Sequence, residues 1–202
     1  MGKIVISTNA TLDGVVQDPD GQEGFERGGW FHKFVGARDL QEWVVNETEE
    51  VLAAEALLLG RRSFEWFASR APFMGERVGR QWADRMNSLP KYVVSSTLER
   101  PQWSNTTVLD RDAVEEISAL KRRVDGDILV YGSRQLVRAL MAQNLADQLR
   151  QVVFPVVLGT GLRLFDATTD QKALHLADTR KIGDGLVRHT YELAPASPAA
   201  SL

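Results

Sequence analysis

The sequence predicts an α/β fold built on an open parallel sheet, and three observations support this prediction. Short apolar runs alternate along the chain with amphipathic stretches of helical spacing. Several of these runs lead directly into Gly, Ser or Arg residues that begin a helix, which is typical of strand-to-helix turns in a parallel sheet. Near the end of the chain, two apolar runs are separated only by residues 183–185, which predicts a closing antiparallel hairpin.

Composition limits the class of protein. The 202 residues are 44% hydrophobic and 25% charged, which suits one compact domain, expected over residues 1–193 with a disordered Ala/Ser-rich tail over 194–202. A net charge of -3 gives no global basic field, so neither nucleic acid nor a membrane is an expected partner. The absence of cysteine excludes disulfides and a thiolate nucleophile. Without an export signal or an apolar run of about 20 residues, we expect a cytoplasmic protein.

The first strand is predicted over residues 3–8, and the chain leaves it through the turn Asp13-Gly14. A long Gly- and Asp-rich loop follows, and it carries the aromatic residues Phe25, Trp30 and Phe31. Two interpretations remain open for this loop. It is either a lid or binding loop, or a surface insertion whose aromatic side chains pack on the core.

A helix is predicted over residues 39–54 because Leu40, Trp43, Val44 and Val51 form one apolar stripe. Glu47 falls on the same stripe, whereas Glu49 and Glu50 are expected to point outward. A carboxylate on the stripe faces the core or a crevice, and burial would raise its pKa and allow it to hold a proton. The alternative is a rim position or a salt bridge that satisfies Glu47.

The next two strands both end in residues that suit phosphate binding. The strand 56–59 leads into Gly60, Arg61, Arg62 and Ser63, where guanidinium groups and a helix N-terminus provide donors for a phosphate. The strand 91–94 ends at residues 95–97, and three hydroxyls at that position suit ribose or phosphate oxygens. The alternatives are a solvated basic turn at the first end and a simple Ser/Thr turn at the second.

Amphipathic spacing and apolar runs also predict the remaining helices and strands. Amphipathic spacing predicts a helix over 76–86, and Asp110 or Asp112 is expected to cap a helix that runs to Val124. Further strands are predicted over 106–109, 146–154, 172–182 and 186–193. The glycines on either side of Thr160 indicate a close backbone approach, to either a ligand or a neighbouring strand.

The stretch 127–140 is the clearest strand-to-helix turn in the chain. Four apolar residues run into Gly132 and Ser133, and apolar positions at helical spacing follow. Gly132 allows a close approach of the backbone, and Ser133 is expected to cap the helix. The free N–H groups of the first helical turn would then favour an anion such as a pyrophosphate. A short structural connection without a ligand is the alternative.

Taken together, three strands end in donor-rich residues. Because the carboxyl ends of parallel strands share one edge of a sheet, a single extended dinucleotide would occupy all three. The arginines suit a 2′-phosphate, and the usual glycine-rich fingerprint with its ribose-binding acid is missing, so NADPH is favoured over NADH. The three histidines are scattered, so the sequence predicts neither a metal site nor a hydrolytic triad.

Five segments also carry a family resemblance: 11–14, 58–65, 93–97, 130–133 and 155–165. They resemble the dihydrofolate reductase superfamily, and within it the reductase domain of the bifunctional riboflavin deaminase/reductase and its stand-alone bacterial relatives. The last segment is the most specific of the five. The resemblance implies a three-layer fold with a mixed, mainly parallel sheet, NADPH as the hydride donor, a small heterocyclic substrate and a homodimer.

The resemblance also implies site residues. Those expected to bind the cofactor are Gly60, Arg61, Arg62, Ser63, Ser95, Ser96, Gly132, Ser133, Arg134 and Gln135. Arg61, Arg62 and Ser63 would hold the adenosine 2′-phosphate and the pyrophosphate. Ser95 and Ser96 would hold the adenosine ribose-phosphate, and residues 132–135 would lie against the central phosphates. A strained or cis peptide is implied between residues 132 and 133.

Two acids are the catalytic candidates. The resemblance places Asp13 in the loop beside the nicotinamide and substrate. Glu47 is chosen as the helix acid because of its apolar stripe, with Asp39 as the second candidate. Two departures from the family pattern, Thr160 and Gln148, leave the substrate open.

The leading hypothesis is therefore an NADPH-dependent reductase that acts on a pterin-like or ribosylamino-pyrimidine compound. The alternative is a non-catalytic nucleotide-binding or regulatory protein that retains the fold. No deaminase zinc motif accompanies the domain on this chain.

Overall fold

An eight-stranded sheet forms the middle layer of the computed structural model, which describes residues 1–165 and 171–193. The predicted tail lies outside the described residues. The strands are β1 (Lys3–Thr11), β2 (Ala54–Gly60), β3 (Lys91–Val94), β4 (Thr106–Leu109), β5 (Asp127–Tyr131), β6 (Gln148–Phe154), β7 (Leu174–Ile182) and β8 (Leu186–Leu193).

The helices are α1 (Trp30–Lys33), α2 (Ala37–Ala53), α3 (Arg61–Arg70), α4 (Met74–Arg77), α5 (Arg80–Ser88), α6 (Ala113–Arg123) and α7 (Arg134–Ala142). A 3-10 turn, Ala71–Phe73, joins α3 to α4. None of the helices among the described residues is long and apolar enough to cross a membrane.

The strand order across the sheet is β4-β3-β2-β5-β1-β6-β8-β7. The first six strands in this order are parallel to one another, and β8 pairs antiparallel with both β6 and β7. This arrangement confirms the predicted mixed, mainly parallel sheet with a C-terminal antiparallel hairpin. It also places the carboxyl ends of β3, β2 and β5 side by side at one edge.

Helices cover both faces of the sheet, which gives the predicted three layers. On one face, Ile4, Ile6 and Val130 pack against α6 and α7. On the other face, Val5 and Leu129 join a core that contains residues of α2, α3 and α5. Because the central strands are buried on both faces, β2, β5 and the first half of β1 contain apolar runs without alternation, as expected for parallel strands.

Local sequence signals explain several element boundaries. Asp112 accepts hydrogen bonds from the backbone N–H groups of Val114 and Glu115, so it is the N-cap of α6. The single helix predicted over 76–86 is wrong, because the chain forms α4 and α5 with Gly79 between them at a φ of 107°. The first strand continues three residues beyond its predicted end, to Thr11.

The loop between β1 and α2 packs on the body of the protein. Trp30 is completely buried, and its ring lies 5.2 Å from that of Phe154. Phe31 lies 4.9 Å from Phe154 and 4.7 Å from Trp43, measured between ring centroids. Of the two interpretations of this loop, the aromatic packing favours an insertion held against the core.

Candidate functional site

The donor-rich ends of β2 and β5 are joined by two reciprocal hydrogen bonds. The backbone N–H of Gly60 donates to the Ser133 hydroxyl at 2.9 Å, and the backbone N–H of Ser133 donates to the Ser63 hydroxyl at 2.8 Å. Gly60 and Ser133 are 73 positions apart in the sequence. The structure therefore brings two of the three predicted strand ends into one hydrogen-bonded unit.

The turn after β5 depends on left-handed backbone at two successive residues. Gly132 has a φ of 57° and Ser133 a φ of 54°. A Cβ atom at position 132 would lie 3.0 Å from the Ser63 hydroxyl oxygen, so glycine provides both the backbone conformation and the close approach. The described residues contain no cis peptide bond, so the implied cis form is not present between residues 132 and 133, and the unusual backbone of this turn is the positive φ of Ser133, a residue other than glycine.

The predicted role of Ser133 as a helix cap is wrong. Its hydroxyl accepts from Gly60 and donates to the Tyr131 carbonyl oxygen at 3.0 Å, and it makes no capping hydrogen bond to α7. Helix α3 also begins without a side-chain cap, at Gly60. Both helices therefore begin at the same edge of the sheet without a hydrogen bond from the side chain of their own N-cap residue.

The end of β3 joins this edge through Arg61. The Arg61 guanidinium donates to the Thr97 hydroxyl at 2.5 Å and to the Glu65 carboxylate at 2.7 Å. The Ser95 hydroxyl accepts from the backbone N–H groups of Thr97 and Leu98, so this serine forms a Ser/Thr turn. Three further predicted residues at this edge are exposed to solvent, namely Arg62, Ser96 and Gln135.

Segment 155–165 meets the same edge from the other side. The Arg134 guanidinium donates to the Arg163 carbonyl oxygen at 3.4 Å, and Arg163 in turn contacts Asp13. A Cβ atom at Gly161 would lie 2.7 Å from the Val15 side chain and 3.1 Å from that of Phe25. The glycine pair was expected to approach either a ligand or a neighbouring strand, and Gly161 instead approaches the loop that follows β1.

Asp13 is an ionised carboxylate surrounded by donors. It accepts from the Thr11 hydroxyl at 2.6 Å and from the backbone N–H groups of Leu158 at 3.1 Å and Gly159 at 2.8 Å. Arg163 lies 3.5 Å away. Although burial acts to raise its pKa, these hydrogen bonds outweigh burial and lower the pKa of Asp13 to about 2. Asp13 thus ties the loop after β1 to segment 155–165.

Glu47 has the opposite environment. Only 4% of the residue is exposed, and burial together with the nearby Glu50 carboxylate raises its pKa well above the usual value. Tyr131, Arg188 and Asn46 oppose this rise and are outweighed. The prediction that Glu47 faces inward is therefore consistent with the structure, and its catalytic role, like that of Asp13, stays a prediction.

The expectation that Glu50 points outward is wrong. Glu50 is buried, with 5% of the residue exposed, and it accepts from Arg150 at 3.1 Å and from the Tyr131 hydroxyl at 3.1 Å. Arg150 also donates to Asp127 at 2.8 Å. The apolar stripe of α2 indicated Glu47, but it could not reveal a charged layer beneath the same helix.

Tyr131 and Arg150 are the site residues that the sequence reasoning missed. In the sheet register, Tyr131 of β5 and Arg150 of β6 lie next to Ser7 of β1, one on each side. Their side chains therefore lie on the same face of the sheet, which is the face that α2 covers. Tyr131 is the last residue of β5 and directly precedes Gly132. A polar aromatic residue at that position was the available signal in the sequence.

Asp39, the second candidate for the helix acid, holds the C-terminal hairpin. It accepts from the backbone N–H groups of Asp184 at 2.6 Å, Gly185 at 2.9 Å and Gly36 at 2.9 Å. These hydrogen bonds, that from Gly185 above all, lower its pKa. The described residues contain no cluster of His, Asp and Glu suited to a metal ion.

Comparison with known proteins gives one family. The model of the RibD C-terminal domain matches residues 2–188 of this chain. Among solved structures, a putative riboflavin biosynthesis protein from Shewanella sp. PV-4 is similar over 96% of this chain and 99% of its own, with 19% identity and a TM-score of 0.71.

Two further structures extend the comparison. A diaminohydroxyphosphoribosylaminopyrimidine deaminase/5-amino-6-(5-phosphoribosylamino)uracil reductase from Thermotoga maritima is similar over 96% of this chain and 57% of its own, with 14% identity and a TM-score of 0.61. The dihydrofolate reductase of Enterococcus faecalis, complexed with NADP(H), is similar over 96% of this chain and 97% of its own, with 17% identity and a TM-score of 0.54. The dihydrofolate reductase-like fold predicted from the sequence is confirmed.

Proposed function

The chain belongs to the RibD C-terminal domain family, a family of reductases, and we propose on this basis that it is an NADPH-dependent reductase. Its substrate would be a pterin-like or ribosylamino-pyrimidine compound. Two similar structures support this choice, since one is of a deaminase/5-amino-6-(5-phosphoribosylamino)uracil reductase and the other is of a dihydrofolate reductase with NADP(H).

The observation that carries the proposal is the meeting of three strand ends at one edge. The hydrogen bonds from Gly60 to Ser133 and from Ser133 to Ser63 join β2 to β5, and the Arg61 contact with Thr97 joins β2 to β3. Ligands of open α/β sheets bind at the carboxyl ends of such strands. One long ligand with several phosphates fits donors spread over three neighbouring ends.

The residues at this edge suit NADPH. Two helices begin there, neither capped by the side chain of its own N-cap residue, and a helix N-terminus favours an anion such as a pyrophosphate. Exposed Arg61 and Arg62 provide planar guanidinium donors that suit a 2′-phosphate. The absence of a side chain at Gly132 keeps the backbone accessible at the centre of the edge.

When bound, NADPH supplies a hydride, and the reduced bond of the substrate also takes up one proton. We assign the storage of that proton to Glu47, because its burial beside a second carboxylate favours the neutral acid. Asp13 is ionised and hydrogen-bonded to the backbone of segment 155–165, so we assign it the positioning of the loop.

The double variant R61A/R62A tests the cofactor assignment. We expect it to weaken NADPH binding by about 10- to 100-fold for each lost charge-assisted contact, with a much smaller effect on NADH, which lacks the 2′-phosphate. Binding is measured by quenching of NADPH and NADH fluorescence. The matched control is R122A/R123A, an exposed arginine pair at the end of α6, which should leave both affinities unchanged.

Equal weakening of NADPH and NADH would contradict the 2′-phosphate assignment. Binding of NADPH without oxidation, in the presence of either dihydrofolate or the ribosylamino-pyrimidine of riboflavin synthesis, would favour the non-catalytic alternative. The homodimer also remains a proposal, and sedimentation analysis of the full chain tests it.

A further inference from the structure

A buried layer of charged and polar side chains lies between α2 and the sheet. From α2 it contains Asn46, Glu47 and Glu50. From the strands packed against this helix it contains Tyr131 and Asp127 of β5, Arg150 of β6 and Arg188 of β8, and at its rim the half-exposed Asp178 of β7 lies near Arg188. Arg85 of α5 contacts the carbonyl oxygen of Ala54 at the end of the same helix. Buried polar groups of this kind are costly unless they are paired, so the pairing in this layer is informative.

The cations of the layer are already shared among other acceptors. Arg150 lies between Glu50 at 3.1 Å and Asp127 at 2.8 Å. Arg188 donates to the Asn46 amide oxygen at 2.8 Å and lies 3.6 Å from the half-exposed Asp178, and its buried Nε has no hydrogen-bond partner among the described residues. Neither arginine forms an ion pair with Glu47 in the described part of the chain, so an ionised Glu47 would add an unpaired negative charge to the layer.

The hydroxyl of Tyr131 imposes a second constraint. It carries a single proton, which it donates to Glu50 at 3.1 Å. The effect of this hydroxyl on Glu47 is to lower its pKa, and burial together with Glu50 outweighs it. Because Glu50 accepts the single phenol proton at 3.1 Å, that proton is directed away from an ionised Glu47.

We propose that Glu50 is a positioning residue that keeps Glu47, three positions earlier on the same buried face of α2, protonated, so that one proton is stored between this helix and the sheet. Glu50 does so in two ways: its carboxylate, paired with Arg150, disfavours a second carboxylate, and it accepts the hydrogen bond of the Tyr131 hydroxyl. The use of the stored proton in a reduction rests on the proposed function, whereas its storage does not.

The test is a titration of the Glu47 carboxyl by ¹³C NMR of protein labelled at glutamate, with E47Q to assign the signal. In E50Q, the Glu47 carboxyl should titrate about 1 pH unit or more below its position in the wild type, because a neighbouring negative charge has been removed. The matched control is E49Q, one position earlier on α2, where the carboxylate is exposed and pairs with Arg180. It should leave the titration unchanged. An unchanged titration in E50Q would overturn the proposal.

Two further measurements keep the test decisive. If E50Q does not fold, the wild type and E47Q suffice: at pH 7 the wild type should show a neutral carboxyl signal that E47Q lacks, and absence of that signal would overturn the proposal. If the protein oxidises NADPH, the rate of that oxidation should fall at alkaline pH as Glu47 loses its proton. This fall should begin at a lower pH in E50Q than in E49Q. A purely structural role for Glu50 would leave that pH profile in place. Failure of NADPH to bind would contradict only the proposed function, since the NMR titration needs no cofactor.

Discussion

Asp13 and Glu47 are the two acids proposed as catalytic from the sequence, and their surroundings favour opposite charge states. Asp13 accepts hydrogen bonds from two backbone N–H groups and a hydroxyl, all of which stabilise the carboxylate. Glu47 is buried next to Glu50, whose charge destabilises a second carboxylate. The pKa of Asp13 is therefore lowered to about 2, and that of Glu47 is raised.

The difference shows that the groups around an acid decide whether it holds a proton. A carboxylate stabilised by several N–H groups cannot donate a proton near neutral pH, so Asp13 suits a structural role in the loop. A carboxyl buried beside a fixed negative charge keeps its proton, so Glu47 suits the role of proton store. Each role can be tested by removing one charge.

The largest expected effect follows from the change Glu47→Gln. The amide has nearly the shape of the acid but cannot deliver a proton, so we expect turnover of NADPH at saturating substrate to fall by about 10²- to 10⁴-fold. NADPH affinity should change little, because the Glu47 side chain is buried on α2 and is not among the proposed phosphate donors. Steady-state rates and fluorescence titration measure the two quantities.

Glu49→Gln is the control for this prediction, since Glu49 is an exposed acid on the same helix. Its turnover should equal that of the wild type. If Glu47→Gln retained full turnover, Glu47 would not supply the proton, and the comparison with Asp13 would lose its functional meaning.

A smaller effect, on stability, is expected from Asp13→Asn. Because the pKa of Asp13 falls from 3.8 to about 2 on folding, the carboxylate stabilises the native state above pH 3.8, and this contribution is lost as the pH falls toward 2. At pH 7 the variant should lose about 2 kcal/mol of unfolding free energy. The deficit relative to the wild type should shrink below about pH 4. Urea denaturation over a pH series measures both.

Arg163→Met separates the hydrogen bonds of Asp13 from its ion pair. The Arg163 side chain is 43% exposed and lies 3.5 Å from the Asp13 carboxylate, so its loss should cost no more than about 1 kcal/mol. The acid dependence of stability should persist in this variant. Its disappearance would mean that the ion pair, and not the backbone N–H groups, sets the charge of Asp13.

Much of the fold could be predicted because its signals are local. Apolar strands followed by Gly60 and Gly132 indicated parallel strands with helices after them, and the glycine turn at 183–185 indicated the hairpin. The meeting of the strand ends then followed from the general geometry of parallel sheets. The family resemblance added the layer arrangement, which the comparisons confirm.

The parts that could not be predicted depend on partners far away in the sequence. Ser133 was expected to cap its own helix, but the backbone N–H of Gly60 binds its hydroxyl. Glu50 was placed on the solvent side because a helical stripe defined by apolar residues assigns polar residues to the outside. Its partner Arg150 is 100 positions later in the chain, and no local pattern connects the two.

The central claim is that this chain transfers a hydride from NADPH, and isotope transfer tests it most directly. NADPH carrying deuterium on the transferable C4 position is incubated with the wild-type protein and, in separate reactions, with dihydrofolate and the ribosylamino-pyrimidine of riboflavin synthesis. We predict that one of the two products gains the mass of one deuterium, and that R61A/R62A strongly slows this gain at limiting NADPH. Tight binding of NADPH with no deuterium in either product would contradict the account.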